Sequence, residues 1–187
     1  MKSLIEYIQE QKHNFIIGKK LDSSVKSSNI VIAEDKDHLK KIIKETTSKL
    51  GFECDLNFID VSNVTDMSNL FARSRFNGDI SRWNVSNVTN MRSMFGSCIN
   101  FEGKGLENWD VSNVTNANHM FQYCKQFTGK ALENWNVSNV KYMDYMFSFC
   151  KQLDCDLSKW DVSKVEYAAG MFIYSGMKEL PDWYMTI

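Results

Sequence analysis

The sequence is short of almost everything that marks a catalyst or a membrane protein. It has one proline, Pro181, and a formal net charge of −1. So small a charge leaves no basic footprint for nucleic acid or for an acidic membrane. No stretch approaches the roughly 18 apolar residues that a bilayer span requires. The first residues, MKSLIEYIQEQKHNF, are broken by Glu6, Gln9, Glu10 and Gln11, so neither a signal peptide nor a lipid-attachment cysteine is expected, and a cytoplasmic location follows. The recurring stretch NWDVSNVTNANHMF, residues 108–121, holds no paired carboxylates, no metal spacing and no glycine loop. His13, His38 and His119 lie in unrelated places, without the oriented partner that acid–base or nucleophilic chemistry needs. The expectation is no catalytic residue, no metal and no cofactor.

What is present is ordinary in bulk and unusual in arrangement. A hydrophobic content of 43% and a charged content of 24% describe a globular chain. Aromatic residues are abundant: 12 Phe, 7 Tyr and 5 Trp among 187 residues. The odd count of 5 Cys fits free thiols in a reducing compartment.

The chain aligns on itself with a period of 24 to 26 residues. Units beginning at Ile59, Trp83, Trp109, Trp135 and Trp160 read IDVSNVTDMSNLF, WNVSNVTNMRSMF, WDVSNVTNANHMF, WNVSNVKYMDYMF and WDVSKVEYAAGMF. The connectors between them each carry an apolar anchor: Phe76, Phe101, Phe127 and Leu153. A unit this short cannot bury its own apolar face, so neighbours must stack and equal residues must form ladders. Expected ladders are Trp83–Trp109–Trp135–Trp160, Phe71–Phe95–Phe121–Phe147–Phe172, two of valine, and Leu70–Met94–Met120–Met146–Met171. Alternation in Trp-x-Val and Val-Thr-x-Met predicts two short strands with a Ser-Asn bend between them. The spacing x-x-Met-Phe-x-x-Cys predicts one or two helical turns. The Asp or Asn after each Trp should bond nearby backbone.

The pattern W-[DN]-V-S-N-V-T-x-M-x-x-M-F, followed by F-x-G-x-[IL]-x-x-W, resembles BspA-type leucine-rich repeats over about residues 54 to 187. The likeness is to the subtype of bacterial and mycoplasma surface lipoproteins. The resemblance implies an α+β, leucine-rich-repeat-like solenoid of about five coils of short strands and short helices. It also implies a binding role, often toward proteins at surfaces.

Repeat arrays need atypical ends. Residues 1–53 do not repeat and are expected to form an N-terminal helix–strand–helix cap. It comprises a helix over about 2–12, a buried strand Ile30–Ala33, and a helix capped by Glu34-Asp35. That second helix carries Leu39, Ile42, Ile43 and Leu50 and stops at Gly51. Residues 54–187 form the solenoid, with Trp183 and Tyr184 in a C-terminal cap, 177–187, laid over the last coil. Cys98, Cys124 and Cys150 share one register and should be buried thiols about 5 Å apart.

Three registers do not repeat. They read Asp66, Asn90, Asn116, Tyr142, Tyr167; then Asn69, Ser93, His119, Tyr145, Gly170; then Arg73, Ser97, Tyr123, Phe149, Tyr174. Each turns largely aromatic toward the C-terminus. Three uses are open: anchoring a protein partner, packing under a cap, and self-association. The partner-binding candidates are His119, Tyr123, Tyr142, Tyr145, Phe149, Tyr167 and Tyr174. The expected function is a non-enzymatic protein-binding module, in one form an inhibitor or decoy such as a phage-encoded protein acting on a host factor. The alternative is a cell-surface adhesin-like repeat. Neither nucleic acid nor membrane is expected as a partner, and the chain should be a monomer or weak homo-oligomer.

Overall fold

The computed structural model describes residues 30–187. The helix expected over 2–12 lies outside the described residues. Strand β1 (Val31–Ile32) leads into helix α1 (Lys36–Leu50). Asp35 begins the helix by accepting the His38 N–H at 2.8 Å, and Gly51, at φ 87°, ends it. The buried face is Leu39, Ile42, Ile43 and Thr46. The Thr46 hydroxyl avoids an orphaned polar group by donating to the Ile42 carbonyl at 2.8 Å. Of the strand expected to be buried, Ala33 is buried, but Ile30 and Ile32 are exposed. Among the described residues the strand is an edge: β1 pairs, in parallel, with β2 (Ile59–Asp60) alone.

From Ile59 the units run parallel, joined by single-residue bridges at Asp66–Asn90, Asn90–Asn116, Asn116–Tyr142 and Tyr142–Tyr167. Each bridge residue opens an eight-residue rung: 66–73, 90–97, 116–123, 142–149 and 167–174. Within a rung, the N–H groups of the second, fourth, sixth and eighth residues donate to the next rung. Its first, third, fifth and seventh carbonyls accept. Thus Met143, Tyr145, Phe147 and Phe149 donate to Tyr167, Ala169, Met171 and Ile173 at 2.7, 2.9, 2.9 and 2.8 Å. The same four-bond pattern joins every successive pair of rungs.

The expected helical turns are therefore absent. Overlapping i to i+3 turns take their place, such as Met146 to Met143 and Ser148 to Tyr145. Helical spacing and this turn series place Met, Phe and Cys alike, which is why the pattern misleads. The difference lies in the backbone: the fourth and eighth residues of every rung have positive φ, which turns alternate N–H groups toward the neighbouring rung. Trp-x-Val is likewise unpaired as a strand in the units that begin with Trp.

The ladders form a continuous core, buried throughout except at the half-buried Val165. Trp83 and Trp109 rings stack at 6.4 Å, and Phe95 and Phe121 at 5.6 Å. Every indole N–H reaches a carbonyl of the preceding unit: Trp83 to Leu56, Trp109 to Ile80, Trp135 to Leu106 and Trp160 to Leu132. Burial of a large side chain is worth about 1.5–3 kcal/mol, against roughly 0.5–1.5 for a hydrogen bond, so burial dominates and the bonds set register. Trp183 continues the ladder, stacking on Trp160 at 6.3 Å and donating to Leu157 at 2.8 Å. Tyr184 meets Phe172 edge-on at 5.0 Å. Outside the core, the Asx side chains after each Trp hold the bend: Asp110 accepts from the Ser112 N–H at 3.0 Å. An asparagine ladder runs beside it, with Asn113 donating to Ser86 and Asn139 to Ser112.

Candidate functional site

The candidate residues fall on three positions of the rung. Tyr142 and Tyr167 are first residues, His119 and Tyr145 fourth, and Tyr123, Phe149 and Tyr174 eighth. Each set forms a column of stacked rings. Tyr142 lies on Tyr167 at 5.7 Å, and His119 on Tyr145 at 5.3 Å. Tyr123 lies on Phe149 at 4.3 Å, and Phe149 on Tyr174 at 4.9 Å. The structure thus joins the seven residues within columns. Tyr123 and Tyr145 are 38% and 37% exposed, and Tyr167 and Tyr174 are 57% and 65% exposed. His119, Tyr142 and Phe149 are half-buried by their stacking neighbours.

The backbone gives these side chains no reason to be aromatic. At the first position the earlier rungs use a side-chain carbonyl or carboxylate to hold the third N–H: Asp66 for Ser68, Asn90 for Arg92 and Asn116 for Asn118. Tyrosine cannot do this. In the last two rungs a neighbour substitutes, since Asn118 accepts the Asp144 N–H at 2.7 Å and Asp144 accepts the Ala169 N–H at 2.8 Å. At the fourth and eighth positions φ is positive, 53° for Tyr145 and 62° for Phe149, where bulky side chains are uncommon. Gly170 alone relieves that strain, and a Cβ there would fall 2.6 Å from the Tyr145 ring. The Asx exchange and the left-handed positions were invisible to sequence reasoning. Only the Asn69 and Gly170 identities carried a trace of them.

Charge around the columns is light. Lys151 sits 5.4 Å from the Tyr174 ring centroid, and Lys141 pairs with Glu166 at 3.0 Å. His119 Nδ1 lies 3.2 Å from Gln122 Oε1.

The cysteines form a second column. Cys98, Cys124 and Cys150 are buried and donate to the carbonyls of Phe76, Phe95 and Phe121. Burial pushes the Cys98 and Cys150 thiols up to about 12. A shallow depression of about 860 Å3 lies between Lys130, Glu133, Asp154, Asp156, Met177 and Trp183. Cys155, on its wall, is pushed up to about 12 by burial and then by Glu133, Asp154 and Asp156, so the thiolate that would attack a substrate is suppressed. Among the described residues no group of three or more His, Cys, Asp or Glu is placed to hold a metal ion, and no helix is long and apolar enough to cross a membrane.

A family model described as "Mycoplasma protein of unknown function, DUF285" matches residues 37–131 and again residues 97–183. The chain belongs to this family. DUF285 is, in general terms, the BspA-like repeat family, and its two placements overlap over residues 97–131. The DUF285 match begins within α1 and ends at Trp183, so it spans all five rungs and the Trp ladder. No curated protein and no solved structure matches the chain.

Proposed function

We propose that the chain is a leucine-rich-repeat-like solenoid of the W-[DN]-V-S-N-V-T-x-M-x-x-M-F subtype. Its Trp–Phe core is capped by residues 1–53 at one end and by residues 177–187 at the other, and it works as a non-enzymatic protein-binding module. Its partner is a protein, held by shape and by the aromatic columns of the C-terminal coils, without a cofactor. The observation that carries this reading is the set of solvent-facing rings at positions where the backbone favours Asx, Asn or Gly. Each such choice costs local stability that Asx, Asn or Gly would not at that position, and rigid aromatic side chains are the residues from which interface hot spots are built.

The test compares the wild type with a Tyr142→Ser, Tyr145→Ser, Phe149→Ser variant in affinity capture from native lysate, after both show equal thermal stability. The expected outcome is a protein retained by the wild type and lost by the variant. Equal retention by both moves binding away from these columns. A second reading, a cell-surface adhesin-like repeat, is favoured by the family match. It requires the protein to appear outside the cell on fractionation, where the cytoplasmic module would be absent.

A further inference from the structure

Every rung but the last gives its four outward N–H groups to the rung that follows. The fifth rung has the same four, on Ala168, Gly170, Phe172 and Tyr174, and among the described residues none meets an acceptor. The residues beyond the rung bond elsewhere: the Trp183 indole goes to Leu157, and Gly176 donates to Cys150. The ring columns are open at the same edge. Tyr167 stacks on Tyr142 and Tyr174 lies tilted against Phe149, both in the fourth rung, and among the described residues no ring follows them in their columns. Gly170 leaves the middle column without a side chain between the two tyrosines.

A second copy of the chain does not fit this edge. Two copies related by a twofold axis would set donor row against donor row. A head-to-tail pair would need the outward carbonyls of Asp66, Ser68, Leu70 and Ala72, which receive no N–H among the described residues. Helix α1 stands at that end: Lys36 Nζ reaches the Asp66 carboxylate at 3.2 Å and also the Ser68 hydroxyl at 2.5 Å, and Leu39, Ile42 and Ile43 are buried in the same core.

We infer that the fifth rung accepts a sixth from another protein: a repeat segment of the same kind that offers backbone carbonyls at alternate residues and planar side chains over Tyr167 and Tyr174. The inference rests on the protein-binding reading above and names its mode, edge augmentation by backbone hydrogen bonds. The in-chain precedent is direct. The third rung's donors Ala117, His119, Phe121 and Tyr123 take the carbonyls of Tyr142, Asp144, Met146 and Ser148.

The probe is a capped synthetic peptide of residues 135–150, the stretch that supplies those four carbonyls, added at about 1 mM to the full chain, a concentration that detects even weak docking. Amide hydrogen exchange is read residue by residue. In the free chain, the amides of Ala168, Gly170, Phe172 and Tyr174 should exchange faster than their counterparts Met143, Tyr145, Phe147 and Phe149. The peptide should slow those four by about tenfold or more. A scrambled peptide should not, and Ala168→Pro, which removes the first donor, should weaken the effect. Four amides already as slow as their counterparts, or unmoved by the peptide, overturn the inference. If the triple-serine variant loses its partner while the peptide protects nothing, the protein-binding reading stands and the sixth rung falls. Peptide protection with partner capture unchanged by that variant supports the edge and overturns the aromatic columns.

Discussion

Arg73, Tyr123, Tyr145, Phe149 and Tyr174 hold positive φ angles although none is a residue type that visits this region readily. A left-handed position costs an L-residue about 1–2 kcal/mol. A stacked ring pair returns about 0.5–1.5 kcal/mol, so the aromatic columns recover part of that cost. Ser97, at φ 61°, has no ring to stack, and among the described residues its hydroxyl meets no hydrogen-bond partner. Ser97→Gly removes the left-handed cost and adds about 0.5–1 kcal/mol of backbone entropy. The net expectation is a gain of about 0.5–1 kcal/mol, seen as a rise in Tm of roughly 1–4 °C in a thermal melt. An unchanged or lower Tm would mean the rung geometry is not strained at that position. The sequence hid this strain because serine, histidine, tyrosine and phenylalanine share no preference that marks a left-handed site.

The thiol column behaves as a unit. Cys98, Cys124 and Cys150 are neutral in the fold because burial disfavours the thiolate, with Cys98 held at about 12 against an ordinary 9.0. The folded state therefore keeps its thiol protons while the unfolded chain releases them above pH 9.0. Stability from this source is complete below pH 9.0 and falls as pH rises toward 12. Urea midpoints at pH 8 and about pH 10.5 should differ in that direction. The drop should be smaller in a Cys98→Ala, Cys124→Ala, Cys150→Ala variant, in which Cys54 and Cys155 are the thiols that remain. Equal drops in both proteins would remove the thiols as its source. Burial of this column was legible from its register three residues after the ladder phenylalanine. The conformation beneath it was not. A series of i to i+3 turns spaces Met, Phe and Cys much as a helix does, and nothing in side-chain identity reveals that every second N–H leaves the rung.

Across the whole molecule, each unit bonds chiefly to its neighbours, so damage should stay local. Leu39→Ala empties a fully buried position on α1 and should cost about 2–5 kcal/mol. Amide protection should fall first in 59–97 and persist in 142–174. A uniform loss along the chain would instead describe one indivisible cooperative core. The ladders, the unit boundaries and α1 with its cap were all readable, because apolar periodicity and capping chemistry act through side-chain type. The ring columns were readable as registers. Their pairing needed the rung-to-rung spacing, which the backbone alone sets.

The four bonds between rungs have an electrical consequence. In each rung four peptide groups lie with carbonyl toward the preceding rung and N–H toward the next, as at Tyr142–Met143 and Asp144–Tyr145. Each carries a dipole of about 3.5 D, and parallel dipoles add. A helix has its positive pole at its N-terminus; this stack has it at the C-terminal edge. A chain with a formal net charge of only −1 is thus polarised from end to end, and the proposed sixth rung would be turned carbonyl-first toward Tyr167 and Tyr174 before contact is made.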